Sequence, residues 1–266
     1  MLGRVLSRFR QPPAPVEEGF EARRVRHQYG PVRLTLHIGD PNGASWYDEE
    51  WPDVPELKFL PRYQTRPGAT VFDLGAHQGV YALMLASAVG RRGRVIAVEA
   101  NRFNVDCIEV NCRLNKVRNV QAVHAAVAEQ PGWISFGRGN NGQVDAGGMH
   151  ADSQQVPAVT IDGLTERHGR PAMVFLDIEG YECQALRGAK ATLDTRPDVF
   201  IEVHVGYGLE DFGGSVEELL SFFPEQDYDL YGSNEIDRYP KPFVGEGRAV
   251  ASDRFYLTAI AKDPPA

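Results

Sequence analysis

The segment Val71-Phe-Asp-Leu-Gly-Ala-His-Gln-Gly79 constrains the fold more than any other stretch of this chain. Val71 and Phe72 begin a short apolar strand, Asp73 ends it, Gly75 supplies a tight turn, and a helix opens near Gly79. A second short strand, Arg94-Val-Ile-Ala-Val-Glu99, follows and ends in a lone carboxylate. A glycine turn after one strand and an acid at the tip of the next is the pattern by which α/β sheets hold a nucleoside. The glycines let the backbone approach the ligand closely, and Glu99 is placed to accept hydrogen bonds from ribose hydroxyls.

From Thr70 the chain alternates strand and helix, which predicts a parallel sheet covered on both faces. Strands are expected at Val71-Phe72, Arg94 to Val98, Asn119 to Val123, Ala172 to Leu176, Val199 to Val205 and Phe255 to Ile260. Val80 to Val89 reads as a helix stopped by Gly90. Phe103, Cys107, Val110, Asn111 and Leu114 recur at helical spacing. Cys183 to Leu193 reads as one helix, and Ser215-Val-Glu-Glu218 is a capping box that starts another. Two added strands, Trp133 to Phe136 and Val156 to Ile161, flank the Gly- and Asn-rich stretch 137–155. That stretch fits a plain loop or a lid over a binding site.

Upstream, Arg23 to Gln28 and Val32 to Ile38 alternate in polarity around Tyr29-Gly30-Pro31 and predict a hairpin. Trp46 to Trp51 reads as a polar-aromatic loop and Leu57 to Tyr63 as a short helix. The chain therefore divides into a flexible basic and Pro-rich tail (1–20), a hairpin-and-helix extension (21–66) and a main α/β domain (67–266).

The formal net charge of −8 argues against broad electrostatic binding to nucleic acid, which needs clustered Lys and Arg. No apolar run approaches the ~20 residues that span a bilayer. The basic N-terminus lacks the continuous apolar core of a signal peptide; a frayed tail is expected there, with a membrane-surface helix as the other reading. Cys107, Cys112 and Cys183 form no Cys-x-x-Cys pair, so neither a disulfide framework nor a zinc site is expected, and the setting reads as reducing and cytoplasmic. The oligomeric state is not readable.

A nicotinamide site usually carries Gly-x-Gly-x-x-Gly after its first strand. Here Gly75-Ala-His-Gln-Gly79 lacks the glycine at which a pyrophosphate approaches, and Asp73 would repel one. A carboxylate there suits a cationic ligand whose amine or sulfonium lies at the turn, which points to S-adenosylmethionine. Further on, Phe175-Leu-Asp177-Ile-Glu179-Gly-Tyr-Glu182 and Ile201-Glu202-Val-His204 end two apolar strands. In a parallel sheet these polar tips lie side by side at its carboxyl edge, where α/β sheets place ligands. Buried titratable groups cost desolvation energy unless they are used or paired, so the set marks a candidate active site. Glu182, one turn into a helix, reads instead as a capping or salt-bridging residue.

The ordered blocks Asp73-Leu-Gly-Ala-His-Gln-Gly79, Val98-Glu99-Ala-Asn101, Asn111 with Asn115, Ala125-Ala-Val127, Ile161-Asp162-Gly-Leu164, Asp177-Ile-Glu-Gly-Tyr-Glu182 and Glu202-Val-His204 resemble the FkbM family of S-adenosylmethionine-dependent methyltransferases. The resemblance spans about Leu57 to His204. It implies a Rossmann-like class I methyltransferase fold: a seven-stranded, mostly parallel sheet, helices on both faces and an antiparallel last strand. It also implies methyl transfer to a hydroxyl of a sugar, glycan or secondary metabolite. On this resemblance Asp73, Gly75, Ala76 and Gly79 shape the methionine end, Glu99 holds the ribose, and Asn101 and Ala126 border the nucleoside. His77, Ala100 and Leu176 depart from the family pattern. His204 is the first candidate base, because a neutral imidazole accepts a proton near pH 7; Glu202 is placed to orient it or to act itself, and Asp177 to anchor the acceptor hydroxyl or the methionine ammonium. The rival arrangement is a divalent metal on Asp177, Glu202 and His204; it is not favoured. A nicotinamide oxidoreductase or a non-catalytic nucleoside-binding module are the competing function classes.

Overall fold

The computed structural model describes residues 19–54, 57, 64–137, 144–145, 153–234, 239–243 and 254–262. Most of the expected tail (1–20), most of the Leu57 to Tyr63 helix and most of the 137–155 stretch lie outside them.

The strand-helix alternation expected from Thr70 is present. Strands β3 (Thr70–Leu74), β4 (Arg94–Glu99), β5 (Val120–His124), β9 (Met173–Leu176) and β10 (Asp198–Val203) run parallel in the order β5-β4-β3-β9-β10. β13 (Phe255–Ala261) pairs antiparallel with β10, and β11 (Tyr228–Ser233) pairs with β13. The two-residue strand β12 (Lys241–Pro242) adds an eighth member at the edge beyond β11. Among the described residues the sheet thus has eight strands, the short edge strand being one more than the seven expected. Between β5 and β9, β6 (Ala126–Val127), β7 (Gly132–Phe136) and β8 (Gln154–Val159) make a separate three-stranded sheet.

Side-chain alternation along the strands divides the core into two layers. On one face Val71, Val95, Ala97, Met173, Phe175 and Phe200 share a cluster with α2 (Val80–Val89) and with Ile108 of α3 (Arg102–Leu114). On the other, Phe72, Leu74, Ile96, Val98, Leu176 and Ile201 share a cluster with α4 (Ile161–His168), α5 (Glu182–Arg187) and α7 (Val216–Ser221) through Leu164, Leu186 and Leu219. Helix α2 is apolar around its circumference, as befits a helix buried on more than one side. The hairpin β1 (Arg23–Tyr29) and β2 (Val32–Ile38) joins its cluster through Tyr29, Leu34, Leu36 and Ile38.

Three expectations need correction. Trp46 and Tyr47 belong to a helix, α1 (Pro41–Tyr47), rather than to a loop. Asp40 caps it by accepting from Gly43 N, and Pro41 sits where a missing N–H costs nothing. The segment Val156 to Ile161 ends as a strand at Val159, because Thr160 accepts from Gly163 N and starts α4. Cys183 to Leu193 is two helices, α5 and α6 (Lys190–Leu193). Gly188 interrupts them: a Cβ there would lie 2.6 Å from the Ala128 carbonyl. The Asp162 carboxylate then accepts from Ala191 N, Thr192 N and the Thr192 hydroxyl, capping the second piece.

A cavity across the carboxyl edge of the sheet

Register brings the polar strand tips together. Leu74 pairs with Leu176, and Leu176 with Ile201, so Gly75, Asp177 and Glu202 sit side by side just beyond. Gly75 has φ +87°, and a Cβ on it would stand 1.7 Å from the Asp177 carbonyl oxygen. Only glycine fits both conditions. Gly75 N and Ala76 N both donate to the Val98 carbonyl, which locks the turn onto β4.

A cavity of about 670 Å³ lies over this edge. Asp73, Gly75, Ala76, Glu99, Ala126, Asp177 and Glu202 border it. Gly79, Asn101 and His204 do not. Gly79 is the left-handed residue that opens α2 against Ile108. Asn101 caps α3 by accepting from Phe103 N. Gly206 to Gly214 does not border the cavity either; Gly208 supports the turn at Gly180, where a Cβ would stand 2.6 Å from its backbone.

At one end, the Glu99 carboxylate accepts from His77 N at 2.9 Å and Asn101 N at 2.7 Å. The Asn104 side chain and Ala100 N also donate to it, and the residue borders the cavity. Burial pushes its pKa up, against those hydrogen bonds. Asp73 is fully buried, and its Oδ2 has no hydrogen-bond partner among the described residues. Burial, with the nearby Glu99 charge, pushes its pKa up to about 7. A buried acceptor with no partner is costly in the empty protein and calls for a donor or cation from the cavity. His77 adopts φ +46°, which Asn and His tolerate better than most residues. Its Nδ1 lies 2.9 Å from the Tyr47 hydroxyl, and burial lowers its pKa to about 4, leaving it neutral at pH 7.

Beside Asp73, whose strand partner is Phe175, the floor is aromatic. Tyr81 stacks on Phe175 at 4.7 Å, Phe175 on Phe200 at 4.4 Å and Phe200 on Tyr256 at 5.9 Å. Trp46 and Trp51 stand on the N-terminal side of the same cavity. These floor rings were missed in the sequence, where Phe175 and Phe200 read as strand core. Their row exists only through the pairing of Phe175 with Phe200 and of Glu202 with Tyr256. Arg254, likewise unread, pairs with Glu202 at 3.2 Å.

His204 sits behind the carboxylates, 2% exposed. Its Nδ1 is 2.7 Å from Glu182, which is fully buried, and its Nε2 lies 3.3 Å from Glu179, 3.8 Å from Asp177 and 3.8 Å from Glu202. Burial alone would lower the imidazole pKa, but the Glu182 hydrogen bond and the charges of Glu182, Asp177 and Glu179 override it and hold it up to about 9. Asp177 is pushed well above the carboxylate range by burial and then by Glu202, with His204 opposing. Glu182 also accepts from Gly180 N in the turn before α5; of the two roles expected of it, the structure shows the pairing, with His204, and no helix cap.

Comparison with known proteins agrees with this arrangement of motifs. The family model described as "Methyltransferase FkbM domain" matches residues 73–230, more than half of the chain. No curated protein matches significantly. Among solved structures, the chain is similar to methyltransferase FkbM from Methylobacillus flagellatus KT, with 16% identity and a TM-score of 0.48, covering 82% of this chain and 48% of that one. This chain thus spans about half the length of that protein. An rRNA methylase from Streptococcus thermophilus matches with 10% identity and a TM-score of 0.48, covering 79% of this chain and 98% of that one. A SAM-dependent methyltransferase from Aquifex aeolicus matches with 17% identity and a TM-score of 0.41, covering 83% of this chain and 93% of that one. With its family model matched from Asp73 at the end of β3 into β11, this chain belongs to the FkbM methyltransferase family.

Proposed function

We propose that the chain is an S-adenosylmethionine-dependent O-methyltransferase acting on a hydroxyl of a sugar, glycan or secondary metabolite. The observation that carries this reading is the single cavity that joins a nucleoside-type end, at Glu99, Asp73 and Gly75, to an acidic end at Asp177 and Glu202. The residues fit the cofactor: Glu99 for ribose hydroxyls, the unpartnered Asp73 Oδ2 for a cationic methionine end, and the side-chain-free Gly75 for close approach. When bound, S-adenosylmethionine supplies an electrophilic methyl group on a sulfonium and leaves as a neutral thioether.

Of the two candidate bases, Glu202 borders the cavity and His204 does not. Glu202 takes the proton of the acceptor hydroxyl as its oxygen gains the methyl group, and Asp177 orients that hydroxyl. His204 becomes a positioning residue that gathers Asp177, Glu179 and Glu202 around its Nε2. The aromatic floor supports a ring-bearing acceptor, since sugars and flat metabolites both pack on such faces.

Calorimetric titration with S-adenosylmethionine, S-adenosylhomocysteine and NAD tests the reading on wild type and Glu99→Ala. Both adenosyl ligands are expected to bind wild type, with affinity lost in the variant. Binding of NAD alone would overturn it.

A further inference from the structure

We propose that Asp177, Glu179 and His204 form a divalent-cation site of the Mn2+ class at the acidic end of the cavity. One ligand atom from each of the three lies within 4.8 Å of the other two. The separations of His204 Nε2 from Glu179 and Asp177, 3.3 and 3.8 Å, suit neighbours around one ion. Donors about 2.1 Å from a shared octahedral ion stand about 3 Å apart when adjacent and about 4.2 Å apart when opposite.

The second observation is the histidine itself. His204 is buried, yet its Nε2 makes no hydrogen bond among the described residues. Its Nδ1 faces the fully buried Glu182 at 2.7 Å. A carboxylate behind Nδ1 keeps the proton there, so an ion that displaces the Nε2 proton meets a lone pair aimed at Asp177 and Glu179, as in metal-ligating histidines. Glu179 reaches the cluster from φ +55°, a conformation that costs energy in a non-glycine residue and so marks a position held for use. Four carboxylates, Asp177, Glu179, Glu182 and Glu202, converge here on two basic side chains, His204 and Arg254, which leaves an excess of negative charge. A dication offsets that repulsion. Two carboxylates and one imidazole suit Mn2+, which accepts both oxygen and nitrogen. Asp177 and Glu179 border the cavity, so ligand positions stay open to an acceptor hydroxyl. The ion's role, lowering the pKa of that hydroxyl before Glu202 takes its proton, rests on the proposed methyl transfer; the site itself does not.

The test uses the full chain stripped with a chelator and titrated with Mn2+ alone, followed by electron paramagnetic resonance. The free Mn2+ signal is expected to fall until one ion is bound per chain, with nitrogen coupling from one imidazole in the pulsed spectrum. Glu182→Gln weakens binding about 10–100-fold. Glu179→Gln, checked for folding by circular dichroism, weakens it at least about tenfold, since one ligand is lost. The surface change Asp229→Asn leaves it unaltered. A free signal that persists, bound Mn2+ without nitrogen coupling, or unchanged affinity in Glu179→Gln overturns the site. Titration of the same preparations with S-adenosylhomocysteine, without metal, separates the two ideas: failure there removes the methyltransferase reading and leaves the ion result standing.

Discussion

Asp73 shows how one buried carboxylate links stability, pH and ligand binding. Its pKa, raised to about 7, means the folded empty protein holds the proton more tightly than the unfolded chain does. Its contribution to stability is therefore fully present below about pH 4, the ordinary carboxylate pKa, and is lost as pH rises through about 7. A sulfonium beside it reverses the preference and favours the ionised form. Affinity for S-adenosylmethionine is expected to rise roughly tenfold between pH 6 and pH 8, as ionisation moves from about a tenth to about nine-tenths complete. Calorimetry at the two pH values checks this, with Asp73→Asn as the comparison. A variant with the same pH slope would remove Asp73 from cofactor binding.

At the scale of elements, helix α3 holds the N-terminal hairpin by imitating a strand. The Asn111 side chain accepts from His37 N at 2.8 Å and donates to the Gln78 carbonyl at 2.9 Å. One turn on, Asn115 accepts from Thr35 N at 2.9 Å and donates to the Thr35 carbonyl at 2.7 Å. The two asparagines thus pair with alternate residues of β2 as a neighbouring strand would. Asn111 also ties the hairpin to the turn that opens α2, close to the cavity. Asn111→Ala leaves the buried His37 N–H and Gln78 carbonyl without these partners, at about 1–3 kcal/mol each. Urea unfolding should show a loss of about 2–6 kcal/mol, and hydrogen exchange should show the His37 amide exposed. An unchanged midpoint would mean that water or backbone shifts replace both bonds.

For the whole molecule, the described residues between 21 and 66 are a wall rather than an attachment. Tyr29, Leu34, Leu36, Ile38, Tyr47, Val54 and Leu57 are all buried in the cluster that includes α2. Trp46, Tyr47 and Trp51 border the cavity. A chain beginning at residue 67 would uncover this apolar surface and open the cavity on one side. Such a patch drives association. The truncated protein is expected to bind an apolar dye, to aggregate, and to lose adenosyl-ligand affinity. A soluble monomer with wild-type affinity would show that the α/β domain stands alone. Among the described residues, no helix is long and apolar enough to cross a membrane.

What the sequence determined by itself is whatever local chemistry encodes. Asp73, Gly75 and Gly79 specify a strand, a turn and a helix start through their own φ preferences and spacing, and Glu99 ends its strand in plain view. The strand-helix alternation set the parallel sheet. Helix α1 escaped because its signal, Asp40 before Pro41, is only a cap on a short polar-aromatic run. The split at Gly188 escaped because it depends on the Ala128 carbonyl, far away in sequence. The same reason governs the acidic end. Asp177, Glu202 and His204 read as equals at strand tips, but register and the buried Glu182 put His204 behind the carboxylates and out of the cavity. The floor of Tyr81, Phe175, Phe200 and Tyr256 likewise arises from strands paired across long separations, so only the tertiary structure decided which groups meet the ligand and which hold those groups in place.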